Sequence, residues 1–139
     1  MPPANTVNPE SACPCGTKKN LSNCCLPYIE RKLLAPTAQA LMRSRYSAHV
    51  LRAIDYLWDT WSPQARIRSS KVDIAAWAGS CEWLALQILA TEAGAAGDNH
   101  GLVTFIARFR QGGKLQQHHE VSVFERVGHA WLYIGHQQA

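Results

Sequence analysis

Four of the five cysteines fall within thirteen residues, as Cys13-Pro14-Cys15 and Cys24-Cys25. Thiolates are soft metal ligands, and two close pairs joined by a short loop can surround one tetrahedral ion. Adjacent cysteines such as Cys24 and Cys25 bond each other only with strain. Both can reach one metal if the backbone turns between them. The pattern predicts one structural Zn2+ per chain, held by Cys13, Cys15, Cys24 and Cys25 at ~2.3 Å, with no open coordination position. Gly16 allows the backbone to wrap around the first sulfurs. Lys18 and Lys19 offset the negative charge of a four-thiolate centre, and Leu21 and Leu26 cap it. A segment of ~20 residues has no core of its own, so metal binding would supply its folding energy, about 10–16 kcal/mol apparent at neutral pH. The alternatives are free buried thiols, a redox pair or, in an oxidising compartment, two disulfides.

The wider composition narrows the classes. The chain has 139 residues, 47% hydrophobic and 17% charged, which excludes a disordered or fibrous protein. It contains no run of 18 apolar residues, so no membrane-spanning helix is expected. Met1 to Ser11 lacks the apolar core of a signal peptide, so the expected address is the cytoplasm. The formal charge of +4 falls to +2 once four thiolates and a divalent ion are counted. Bulk charge therefore gives little support to a nucleic-acid partner.

The spacing C-x-C-x8-C-C, with Cys13-Pro14-Cys15-Gly16-Thr17-Lys18-Lys19, resembles the SEC-C motif. That small zinc-binding motif is named after the C-terminus of the SecA translocation ATPase. Its usual form has a second glycine where this chain has Lys18, and often an aromatic residue where this chain has Leu21. The resemblance implies a docking role, with a protein or ribosomal partner.

After Pro27 the pattern changes. Leu33-Leu34-Ala35-Pro36 reads as a linker, and Thr37 as the N-cap of a helix carrying Leu41, Met42, Tyr46 and His49 at helical spacing. Ile54, Leu57, Trp58 and Trp61 continue the apolar stripe, and no glycine separates the two stretches. Ser62-Pro63 can end one helix and start another. Ile67, Val72, Ile74 and Trp77 suggest a weaker helical segment, with a break at Gly79-Ser80. The second half reads as strands: Trp83 to Thr91, Val103 to Phe109, Leu115 to Arg126 and Trp131 to His136. Gln111-Gly112-Gly113-Lys114 is a hairpin turn. Helices followed by an antiparallel meander give an α+β fold, with helices on one face of a curved sheet.

The whole chain is similar to the YchJ family of bacterial proteins. The resemblance rests on Leu41-Met42-Arg43-Ser44-Arg45-Tyr46, Asp55-Tyr56-Leu57 with Thr60-Trp61 and Pro63, and Glu82-Trp83-Leu84. It continues through Phe105-Ile106-Ala107-Arg108-Phe109, Gly112-Gly113-Lys114, His119-Glu120, Ser122, Phe124 and Trp131. It implies a SEC-C-like zinc motif with a flexible N-terminus over 1–30 and an NTF2-like domain over 31–139. In that fold, N-terminal helices and a curved antiparallel sheet form a cone around a pocket.

If the Glu120 face of its strand lines the cone, strand alternation puts Ser122 and Phe124 beside it and His119 on the opposite face. The candidate ligand pocket is then Arg43, Arg45, Glu120, Ser122 and Phe124, with the arginines ready for an anionic substrate. Glu120 and Asp55 are the weak catalytic candidates, as general acid and base. Structural pairing of Glu120 with Arg45, or of Glu82 with Arg108, is the bland alternative. Cys81 reads as a small buried residue rather than a nucleophile. Val121 and Val123 would lie outward as an apolar patch, suited to a homodimer through the sheet. The primary functional reading is a zinc-binding, protein- or ribosome-interaction module on an NTF2-like scaffold, more in keeping with a non-enzyme. The alternative is a small-molecule-binding protein or enzyme using the pocket. A nucleic-acid adaptor is the third reading.

Overall fold

The computed structural model describes residues 8–137. The first seven residues, part of the stretch expected to be flexible, lie outside the described residues. Among the described residues no helix is long and apolar enough to cross a membrane.

The first segment is a knuckle. The Cys13 amide donates to the Lys19 carbonyl at 2.8 Å, and Ala12 bridges Asn20, so the chain folds back within eight residues. A single 3₁₀ turn, Leu21–Asn23, and a short helix α1, Leu26–Ile29, follow. Helix α2 spans Ala38–Leu51, and Thr37 caps it by accepting from the Ala40 amide at 3.0 Å. The sequence offers no glycine to end α2. Arg52 takes the left-handed conformation instead (φ 57°, ψ 40°), and α3, Ile54–Asp59, starts two residues later. Tertiary packing therefore breaks a stripe that the sequence left continuous. Ser62 and Pro63 begin α4, Pro63–Arg66, as expected. The segment expected from Ile67 becomes helical only from Lys71, as α5, Lys71–Ser80, capped by Ser70. Gly79-Ser80 lies inside its last turn rather than after it.

Four strands complete the chain: β1, Glu82–Ala93; β2, His100–Gln111; β3, Lys114–Val127; and β4, Ala130–Gln137. They pair antiparallel in the order β1-β2-β3-β4. Two register shifts in the β1–β2 ladder and one at Val123/Phe124 in the β3–β4 ladder interrupt regular pairing. Such shifts bend strands and raise local twist, which curves a sheet around helices packed on one face. Alternation on β2 is complete: Val103, Phe105, Ala107 and Phe109 are buried under the helices. Val121 and Val123 lie half-buried on the opposite face, cross-strand from Thr104 and Leu102.

Two close contacts tie the helices to the sheet. The Ala38 amide at the start of α2 donates to the Gly94 carbonyl at 2.9 Å. The α3–α4 turn runs beside β4: the Ser62 amide donates to the Tyr133 carbonyl, and the Tyr133 amide to the Thr60 carbonyl. The second contact covers the open edge of β4 and fixes Tyr133 against the helices.

Candidate functional site

The sulfurs of Cys13, Cys15, Cys24 and Cys25 all lie within 4.8 Å of one another. All four are free rather than disulfide-bonded. Cys15 and Cys24 are 3.5 Å apart and Cys24 and Cys25 4.0 Å apart, a spacing that one tetrahedral ion can bridge. Proton sharing separates the thiols. Hydrogen bonds from Cys13 and Cys25 hold Cys15 far below the usual thiol range. Burial pushes Cys24 up to about 11, and the contacts to Cys13 and Cys15 raise Cys25 strongly. Four thiolates this close cannot all form without a cation among them. The donor set therefore fits a soft divalent metal ion. Lys18, where the motif usually has glycine, has φ 73°, so its backbone adopts a conformation that glycine favours.

The knuckle packs into the body rather than projecting from it. Cys13 Sγ lies 3.4 Å from Ser47 Oγ on α2, and Arg43 Nη1 donates to the Cys15 carbonyl at 2.7 Å. Cys13, Cys15, Leu21 and Cys25 belong to the same buried cluster as Leu41, Met42, Tyr56 and Leu57. Arg43, expected in the pocket, thus faces the knuckle and holds it.

The second feature is a cavity of about 310 Å3 between helices and sheet. Helix α2 supplies Met42, Arg45, Tyr46 and His49, and Trp61 closes one side. Ile74 and Trp77 come from α5, Trp83 from β1, and Phe105 and Ala107 from β2. One wall is polar. Glu120 Oε1 accepts from His118 Nε2 at 2.8 Å, and Oε2 accepts from Ser122 Oγ and from Tyr133 Oη, the latter at 2.9 Å. Burial alone would raise the Glu120 pKa. The three donors more than offset it and leave the carboxyl below its usual range, while the Glu120 hydrogen bond raises His118. Both Glu120 oxygens are committed, so this carboxylate orders its neighbours more readily than it accepts a proton.

Of the residues expected in the pocket, Arg45, Glu120 and Ser122 line it together. Phe124 shares their strand face but is fully buried beneath Tyr133, 5.7 Å between ring centroids, and does not reach the cavity. Asp55 is exposed on α3, where Lys71 at 2.9 Å holds its carboxyl below the usual range, so it does not meet Glu120. The expected Glu120–Arg45 ion pair does not form. Glu82 pairs with Arg110, not Arg108, because the β1–β2 register sets Glu82 opposite Arg110. Cys81 is buried, and burial raises its thiol pKa, which keeps it unreactive. The five tryptophans read from the sequence as core or pocket wall, and Trp61, Trp77 and Trp83 line the cavity; His118, His49 and Tyr133 were not placed there. His118 was within reach, since it shares the period-two face of Glu120 and Ser122.

His49 gives the cavity a pH dependence. Its Nδ1–H donates to the Arg45 carbonyl at 2.8 Å, a contact that alone would favour the charged ring. Burial first, then the Arg45 charge, lowers its pKa from 6.5 to about 4. A histidine depressed on folding stabilises the protein above its unfolded pKa, and this contribution disappears as pH falls from ~6.5 through the folded value. The shift corresponds to about 3 kcal/mol. We expect His49→Gln to flatten the loss of stability between pH 6.5 and 4, as measured by urea unfolding at a series of pH values. An unchanged acid limb would place His49 outside the buried network.

Comparison with known proteins gives one consistent result. The family model for the YchJ middle NTF2-like domain matches residues 37–136. A UPF0225 protein of Geobacter sulfurreducens is 42% identical over 121 residues, covering 87% of this chain and 75% of its own. A UPF0225 protein of Chromobacterium violaceum is 44% identical over 125 residues, covering 89% and 90%. Among solved structures, a SEC-C motif containing protein from Rhodopseudomonas palustris superposes with a TM-score of 0.84 at 35% identity, covering 91% of this chain and 98% of that one. A SEC-C motif containing protein from Psychrobacter arcticus gives 0.78 at 28% identity, covering 92% and 84%.

Proposed function

The chain belongs to the YchJ family, and from that premise we propose that it is a cytoplasmic, zinc-containing small-molecule-binding protein whose working site is the cone cavity. One observation carries the reading: a cavity of about 310 Å3 walled by the rings of Trp61, Trp77, Trp83 and Phe105, with an ordered Glu120 wall. Its volume falls at the small end of the ~300–1,000 Å3 range of ligand sites, and its mix of apolar walls and few polar groups is typical of them. Zinc suits the four-sulfur donor set and serves a structural role, because four protein ligands leave no position for substrate.

The five tryptophans provide the test. Trp61, Trp77 and Trp83 line the cavity, whereas Trp58 and Trp131 do not. Indole titrated into the zinc-loaded chain should shift the side-chain N–H signals of the first three in proton–nitrogen NMR and leave the other two unmoved. Equal shifts at all five, or none, would overturn the reading.

A second reading has its own observation. Lys18, Lys19, Arg31 and Lys32 are exposed near the knuckle, and Leu33 and Leu34 are 60% and 61% exposed beside them. Arg31 and Lys32 pair with Asp59 and Glu30, so Lys18 and Lys19, with the exposed leucines, are what favours an acidic protein or ribosomal partner. Charge reversal at Lys18 and Lys19 should weaken ribosome co-sedimentation severalfold if the knuckle docks there. Unchanged co-sedimentation would remove this reading.

A further inference from the structure

Arg45 is a buried cation with no ion-pair partner in contact among the described residues. It is 8% exposed on α2 and lines the cavity. Its Nη1 donates to the Leu57 carbonyl at 2.9 Å and to Thr60 Oγ1 at 2.7 Å, and its guanidinium lies 4.8 Å from the Tyr133 ring centre. None of these groups carries a negative charge. Among the described residues no carboxylate comes within ion-pair distance of it. Glu120, the buried carboxylate of the same cavity, has both oxygens on other donors. Asp73, also on the lining, is exposed. Burial lowers Arg45 to about 10, which still leaves it charged at neutral pH.

A buried cation with no carboxylate in contact is costly, and a fixed guanidinium lining a largely aromatic cavity fits a planar anion. The rest of the lining combines aromatic and aliphatic side chains with the polar Glu120 wall, whose carboxylate is already spent on its three donors. Resting on the pocket reading above, we propose that the cavity binds a small planar aromatic monocarboxylate. Its carboxylate would take the unspent Arg45 nitrogens, and its ring would lie among Trp77, Trp83 and Phe105. Polar discrimination of this kind is strong, because the wrong ligand leaves buried donors unpaired.

Three probes on the intact, zinc-loaded chain test this by calorimetric titration: benzoate, its neutral isostere benzamide, and indole. Benzoate should bind at least tenfold more tightly than benzamide, and this preference should change little between low and high salt because the charge is buried. Arg45→Met should abolish the preference; if that variant fails to fold, the benzoate–benzamide ratio in the unmodified chain decides alone. A ratio near one with indole still binding would overturn the anion assignment and leave the pocket reading standing. Failure of all three probes would overturn both. A benzoate preference that collapses with salt would place the anion on surface lysines and also overturn the assignment.

Discussion

Replacing Cys25 with serine is expected to lower the melting temperature of the whole chain by tens of degrees, in a single transition. The sequence suggested a separate metal head over 1–30; the packing predicts otherwise. Cys25 is 1% exposed and shares its cluster with Tyr56 and Leu57 of α3. Arg31, just past α1, forms an ion pair with Asp59 at 2.7 Å, and Arg43 grips the Cys15 carbonyl. Loss of one thiolate in four would release a metal held by the four sulfurs. A structural zinc site is worth about 10–16 kcal/mol apparent, comparable to the roughly 5–15 kcal/mol stability of a whole domain. The wall lost with the knuckle is the outer support of α2, and α2 carries Arg45 and His49. Calorimetry alongside near-ultraviolet circular dichroism would detect the effect. A helix and sheet signal that melts as before, with only the metal gone, would show that the knuckle is a separable head and would strengthen the docking reading.

Gly101→Ala is the second large effect, and it acts at the opposite end of α2. A Cβ at Gly101 would lie 2.6 Å from the Gly94 Cα and 2.9 Å from the Ala38 Cβ. Neither neighbour can rotate away. Gly94 sits at φ +83° and accepts the Ala38 amide, so moving it strains the hairpin and uncaps the start of α2. Overpacking usually costs about 1–3 kcal/mol, and contact with rigid backbone puts this case at the upper end. For a chain of this size the melting point should fall by roughly 10 °C. Gly112→Ala is the control for space, since nothing lies within 4 Å of its added Cβ, although its φ of +59° adds a small strain of its own. Equal losses at the two positions would mean that strain, not the α2 contact, sets the cost.

The parts legible in the sequence are those set by local chemistry. Ligand spacing marked the four cysteines. Thr37, Ser62 and Pro63 marked helix starts because caps and N1 prolines act within one turn. Alternation marked the inner face of β3, which put Glu120 and Ser122 on one side. What stayed hidden depends on register and packing. Tyr133 reaches Glu120 only because β4 shifts register beside Val123/Phe124, and no local pattern announces such a shift. Arg43 and Arg45 are two residues apart on a helix, so they point in different directions, one to the knuckle and one to the cavity. Arg52 ends α2 in a conformation that its residue type does not favour. The resemblance marked the zinc motif over 1–30, but the faces of α2 and α3 that the knuckle packs against depend on packing that no local pattern shows.

The most direct test of the central claim is to fill the cavity. Ala107 is 3% exposed on β2 and lines the cavity together with Trp77 and Trp83. The account predicts that Ala107→Leu places its added carbons in open space, holds or raises the melting temperature by a few degrees, and abolishes indole binding. A lower melting temperature with indole binding unchanged would mean that the space at Ala107 is not the binding site, and the pocket reading would fall.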